Sequence, residues 1–139
     1  MATLSGQQSE PLSVLIADGD DAFRSLVKRQ LGVAVRVVGD ARDGDEAVRL
    51  ARWLRPDVVV MDVALPGVAA AARRIKAARA ETKVVLLLSV DPDGQPPAGH
   101  SAATVAALRL GADAVLPKNR VRAEALARTG RARARGKRR

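Results

Sequence analysis

The sequence predicts an α/β fold: a five-stranded parallel sheet, doubly wound into three α/β/α layers. Three observations carry that prediction. Five short runs rich in aliphatic residues recur along the chain, at 12–17, 34–38, 58–61, 82–90 and 112–116. Stretches with apolar residues at helical spacing separate them, and such alternation builds parallel sheets with helices on both faces. Val58 to Met61 is apolar without interruption, as a strand covered on both faces must be.

The elements follow in order. Met1 to Pro11 reads as a loose polar arm. Leu12 to Ala17 (LSVLIA) is a first buried strand, and it runs into Asp18-Gly19-Asp20-Asp21. Phe23, Leu26, Val27 and Leu31 then keep helical spacing, and Gly32 closes that helix. Ala34 to Val38 is a second strand. Asp43-Gly44-Asp45 supplies a turn and an N-cap for a helix whose apolar face is Ala47, Leu50, Ala51 and Leu54, stopped by Pro56. After the third strand comes Leu65-Pro66-Gly67, a turn signal, and then a helix with Val68, Ala71, Ala72 and Ile75 on one side. Thr82 to Val90 is a fourth strand and Asp91 to His100 a Pro- and Gly-rich loop. Ser101 caps a helix through Val105 and Leu108 to Gly111. Ala112 to Leu116 is a short fifth strand ending at Pro117-Lys118. A weak last helix uses Val121, Ala125 and Leu126, and Gly130 interrupts it.

Composition narrows the function. A chain of 139 residues, 47% hydrophobic, suffices for one domain with a core. Its aromatics are Phe23 and Trp53 alone. The absence of cysteine excludes disulfides and thiol chemistry, and the lone His100 cannot build a zinc site. His100 reads as a solvated loop residue. No apolar run approaches the roughly 20 residues of a membrane span, and the N-terminus has no secretory signal pattern, so a cytoplasmic protein is expected. The net charge of +9 is concentrated: residues 120–139 hold nine Lys or Arg against one acid, Glu124. Residues 1–119 hold fifteen basic and fourteen acidic residues and are nearly neutral. No Gly-x-Gly-x-x-Gly follows a strand and no Walker loop is present, so nucleotide binding is unsupported.

The strand ends carry the chemistry. The first supplies Asp18, with Asp20 and Asp21 nearby, the third Asp62, the fourth Ser89 and the fifth Lys118. In a parallel sheet these ends share one edge, where open α/β sheets bind ligands. An isolated strand-end Asp is as often a turn cap, and Ser89 and Lys118 singly are ordinary surface residues. Together they form a hard-oxygen site suited to Mg²⁺, with a hydroxyl and an ammonium for phosphate oxygens and an Asp able to accept a phosphoryl group.

These residues and their surroundings resemble the receiver (CheY-like) domain of two-component response regulators. The resemblance runs from about Leu12 to Lys118. It rests on VLIAD at 14–18, VVGDARDGDEAVRLARWLRPDVVVMDVALPG at 37–67, LLLS at 86–89 and LGADAVLPK at 110–118. It implies a flavodoxin-like fold, with an arm over 1–11, the receiver over 12–128 and a basic tail over 129–139. It further implies a single-domain response regulator, not an enzyme. Asp62 is then the phosphoacceptor, supplied by a sensor histidine kinase or phosphotransfer protein, and the output is protein contact. Ser89 is the switching hydroxyl and Lys118 the partner of the phosphoryl group. Mg²⁺ is held by Asp18, Asp62 and the Ala64 backbone carbonyl, with Asp20 as a further candidate. Phe23-Arg24 resembles regulators with a helix-turn-helix output.

Four features depart from the family. Gly19 stands where the second acid of the pocket belongs, which predicts weakened Mg²⁺ binding. Val115 replaces the aromatic three residues before the lysine, and Asn119 replaces a frequent proline after it. The 91–100 loop is longer than the family pattern. Gly19, Val115 and the long loop motivate a second reading, an atypical receiver that signals without phosphorylation. A third reading assigns the Arg-rich segment 120–139 to sequence-independent, salt-sensitive nucleic-acid contact.

Overall fold

The structure, a computed structural model, describes residues 11–91, 93 and 111–129. Its elements are β1 (Leu12–Ala17), α1 (Asp21–Leu31), β2 (Val35–Ala41), α2 (Gly44–Leu54), β3 (Val58–Asp62), α3 (Val68–Ala78), β4 (Lys83–Leu88) and β5 (Ala114–Pro117). A 3-10 turn over Lys118–Arg120 and a helix over 123–129, here α4, follow. All neighbouring strands are parallel, in the order β2-β1-β3-β4-β5. The predicted doubly wound sheet is therefore the observed one. The arm at 1–10, most of the 91–100 loop with His100, the helix expected from Ser101, and the tail beyond 129 lie outside the described residues.

Period-two alternation divides the core into two layers. Val14, Ile16, Val58, Val60, Val85 and Leu87 face Val27 and Leu31 of α1 and Leu126 of α4, together with Val121. Leu15, Ala17, Val59, Met61, Val84 and Leu86 face Ala47, Val48 and Ala51 of α2 and Ala71, Ala72 and Ile75 of α3. β3 lies between them, and Val58 to Met61 are wholly buried. Each such aliphatic side chain contributes roughly 1.5–3 kcal/mol by leaving water. The second layer is built largely on alanines, so its helices come close. A Cβ at Gly44 would stand 3.2 Å from the Ala71 Cβ, which is why the first turn of α2 is glycine.

The helix ends match their sequence signals. Asp20 caps α1 by accepting from the Ala22 and Phe23 amides, and Gly32 ends it at φ +60°. Asp43 caps α2 by accepting from the Glu46 amide. The last helix, expected to be weak, is anchored from the core side by Leu126, with Val121 just before it, both buried. Strand bounds differ from the sequence reading. β2 runs on through Gly39 and Asp40 to Ala41 because Ala41 pairs with Ala17, although Gly-Asp reads locally as a turn. β4 stops at Leu88, and β5 begins two residues late, at Ala114.

Candidate functional site

Register brings the chosen strand ends to one edge. Ala17 pairs with Met61 and Asp62 with Leu87, so Asp18 stands level with Asp62. Leu88 pairs with Pro117, which sets Ser89 beside Lys118 in the next row. The strands position these residues, because each lies at or just past the last ladder position of its strand.

Three of them meet. Lys118 Nζ lies 2.8 Å from Asp18 Oδ2 and 3.2 Å from Asp62 Oδ2. Asp62 also caps its own turn: Oδ1 accepts from the Ala64 amide at 2.9 Å, leaving Oδ2 to the lysine. The commonplace role of a strand-end aspartate and a functional role thus use different oxygens of one carboxylate. Asp18 is almost fully buried, with Oδ1 held by the Asp20 amide at 2.9 Å. Its Oδ2 has the lysine as a close charge partner but no well-angled hydrogen bond. Burial pulls the Lys118 pKa down, yet Asp18 and Asp62 outweigh burial and hold it above the ordinary lysine value.

Other expected members stand apart. The Asp20 carboxylate is exposed and engaged in capping α1, so it is turned to the helix and not to the Asp18–Asp62 pair. Ser89 is exposed just past β4, and no hydrogen bond joins it to Asp62 or Lys118. Gly19 is exposed, with Arg42 O the nearest atom a Cβ would meet, at 3.8 Å. Val115 packs half-buried against the α2–α3 layer.

Sequence reasoning passed over two contributors. The Phe23 ring lies 4.4 Å from Lys118 Nζ, a cation–π distance that fixes the ammonium from a third side. Arg24 is buried beneath the site. Its Nη1 donates to the Asp18 carbonyl at 2.5 Å, its Nε to Asp40 at 3.2 Å, and its Nη2 pairs with Asp21. The available signal was an arginine at the α1 position that helical spacing turns toward β1.

Comparison with known proteins adds the decisive observation: the family described as the response regulator receiver domain matches residues 14–129. The chain belongs to that family. A protein-glutamate methylesterase/protein-glutamine glutaminase of Myxococcus xanthus is 39% identical to this receiver over 115 residues, covering 80% of this chain and 31% of that protein. The response regulator GacA of Pseudomonas aeruginosa is 36% identical over 89 residues, covering 61% of this chain and 42% of GacA. The receiver thus spans less than half the length of these relatives. The signal receiver domain of the putative response regulator NarL from Mycobacterium tuberculosis superposes with a TM-score of 0.73 at 28% identity, covering 88% of this chain and 98% of that one. The response regulator domain of Thermotoga maritima CheB does so with 0.68 at 29%, covering 88% and 96%. Membership connects the receiver to two-component signalling. Among its described residues, no helix is long and apolar enough to cross a membrane.

The atoms at this edge fit Mg²⁺ with one donor short. The Asp18 and Asp62 carboxylates are hard oxygen donors, and the backbone of Ala64, the third expected donor, is tied to Asp62 through its amide. The buried Asp18 Oδ2 already faces one cation, the Lys118 ammonium at 2.8 Å, without a well-angled hydrogen bond, and so is an oxygen a metal ion could share or take over. Among the described residues no cluster of three or more acidic, His or Cys side chains forms here. The residues therefore fit a divalent ion with one fewer carboxylate than a three-acid pocket offers.

Proposed function

We propose that this receiver accepts a phosphoryl group on Asp62 from a sensor histidine kinase or phosphotransfer protein and passes the signal on by protein contact. The observation that supports the reading best is the convergence of Asp18 and Asp62 on one ammonium, Lys118 Nζ, at the carboxyl edge of the sheet. In the transfer, a carboxylate oxygen of Asp62 attacks phosphorus on the donor's phosphohistidine. The P–O bond forms as the P–N bond breaks, and the imidazole leaves and takes up a proton. Such transfers need positioning and charge neutralisation more than a strong base. Lys118 supplies a fixed cation, and Arg24 holds the Asp18 backbone so that its carboxylate stays in register with Asp62. Asp18, Asp62 and the Ala64 carbonyl would hold Mg²⁺, which would spread the charge of the transferring group. Ser89, just past β4 in the row of Lys118, would move to meet a phosphoryl oxygen once one is present, and that movement would carry the change along the segment that follows β4.

Intact mass after incubation with a small phosphodonor and Mg²⁺, run beside Asp62→Asn, tests the reading. A phosphoryl adduct on the parent alone is expected. A folded parent that takes no adduct under any donor condition overturns it. That outcome would favour the phosphorylation-independent receiver, to which Gly19 and the capping role of Asp20 already lend support.

A further inference from the structure

At the opposite edge of the sheet, the C-terminal ends of α2 and α3 line a half-open cavity of about 200 Å³. Ala51, Ile75 and Ala78 give it an apolar lining, and Arg52, Arg55, Arg79 and Thr82 give it a polar one. Arg79 is committed to the fold: its Nη1 donates to the carbonyls of Arg55 and Pro56 and to Thr82 Oγ1. Arg52 and Arg55 are exposed, and neither guanidinium has an acidic partner among the described residues. On the outer side of α2, Trp53 is 82% exposed in a chain with no other tryptophan. Arg49 lies one turn before it on the same face, also without an ion pair among the described residues.

Arg55 adds a second, independent sign. It occupies the left-handed C-cap of α2, at φ +50°, ψ +57°, where its amide donates to Ala51 O at 2.9 Å. Among non-glycine described residues only Arg55 has a positive φ. Glycine is the usual occupant of such a cap because a Cβ is strained there. An arginine in this conformation beside a partly apolar cavity is an observed backbone outlier of the kind that concentrates at functional positions.

We infer that the α2–α3 end is a docking surface for an acidic segment of a partner protein that places a small apolar side chain in the cavity. Charge complementarity selects the acidic chemistry, since no ion pair engages Arg49, Arg52 or Arg55 among the described residues. The cavity selects a peptide over a nucleic acid. It has room for one aliphatic side chain, and Ala51, Ile75 and Ala78 give part of its lining the apolar character such a side chain needs and a phosphate backbone does not. Exposed Trp and Arg are also the residues that dominate protein–protein binding energy. The surface lies at the amino edge of the strands, away from Asp62, so a partner can sit there whatever occupies the carboxyl edge.

Trp53 is its own reporter. The full chain is titrated with a short synthetic peptide of glutamates flanking one leucine, and Trp53 emission is followed. Controls are the same peptide with glycine for leucine and an oligothymidylate. A saturable emission change is expected, weaker for the glycine peptide and for the oligothymidylate. Arg52→Ala combined with Arg55→Gly should weaken binding by about tenfold or more. Arg55→Gly relieves the strained cap, so the variant should melt no lower than the parent, and loss of binding cannot be assigned to unfolding. No saturable change overturns the inference. So does unchanged affinity in the double variant, which would assign the peptide to the basic tail. A stronger response to oligothymidylate overturns it in favour of nucleic acid.

Discussion

At the scale of single residues, the candidate site depends on which side chains are absent as much as on those present. Gly19 leaves open space beside Asp18: the nearest atom a Cβ there would meet is Arg42 O, 3.8 Å away. Gly19→Asp should therefore fold without distortion and add the missing carboxylate. Mg²⁺ affinity, read by titration calorimetry with the ion alone, should rise by about tenfold, following the charge of the donor set. Arg24 is the opposite case, a buried guanidinium whose removal leaves the Asp18 carbonyl unsatisfied and Asp40 with only Lys28, 2.8 Å away. Arg24→Ala should cost about 2–4 kcal/mol in urea unfolding. Arg24→Lys should recover only part, since an ammonium cannot reach three acceptors in a planar fork.

At the scale of elements, Asp113 ties β5 to β4 and α3. Its Oδ2 accepts from the Val84 amide at 2.8 Å and from Lys76 Nζ at 2.9 Å, and Lys83 Nζ lies 3.7 Å from its Oδ1. Burial pushes the Asp113 pKa up, but the Val84 amide and the two lysines outweigh burial and leave it below the ordinary carboxylate value. A carboxyl depressed in the folded state stabilises fully above its unfolded pKa, near 4. That stabilisation is lost as pH falls through the lower folded value. Asp113→Asn should lose about 1.5–3 kcal/mol at neutral pH. The gap between parent and variant should close in urea unfolding as pH falls from about 5 toward 2.

At the scale of the whole molecule, Lys118 links three elements: the β1 end through Asp18, the β3 end through Asp62, and α1 through the Phe23 ring. Its pKa is raised, so its stabilising charge is fully present below the unfolded lysine value, near 10.4, and is lost only as pH rises through the higher folded value. Across neutral pH it is a constant cation. Lys118→Met removes it and leaves two carboxylates facing each other. The variant should melt below the parent in chelator, and added Mg²⁺ should raise its melting temperature more than the parent's, because the ion then binds only the folded state's carboxylate pair. Equal Mg²⁺ shifts in both proteins would show that the lysine and the ion do not compete for these oxygens.

The sequence by itself determined the sheet, its parallel sense, the caps Asp43 and Gly32, and the presence of Asp18, Asp62, Ser89 and Lys118 at strand ends. Those features are written in local patterns: aliphatic runs, helical spacing, and turn residues at fixed offsets. Only the tertiary structure decided which of those four side chains meet. Asp18, Asp62 and Lys118 converge because three strands are held in one register by a core of distant residues, while Ser89 in the same rows stays exposed. It also decided that Asp20 serves the helix, that Arg24 and Phe23 serve the site, and that Arg55 holds a strained cap beside a cavity. Each of these depends on distance and direction between segments far apart in the chain, and local sequence encodes propensity but not the meeting of remote side chains.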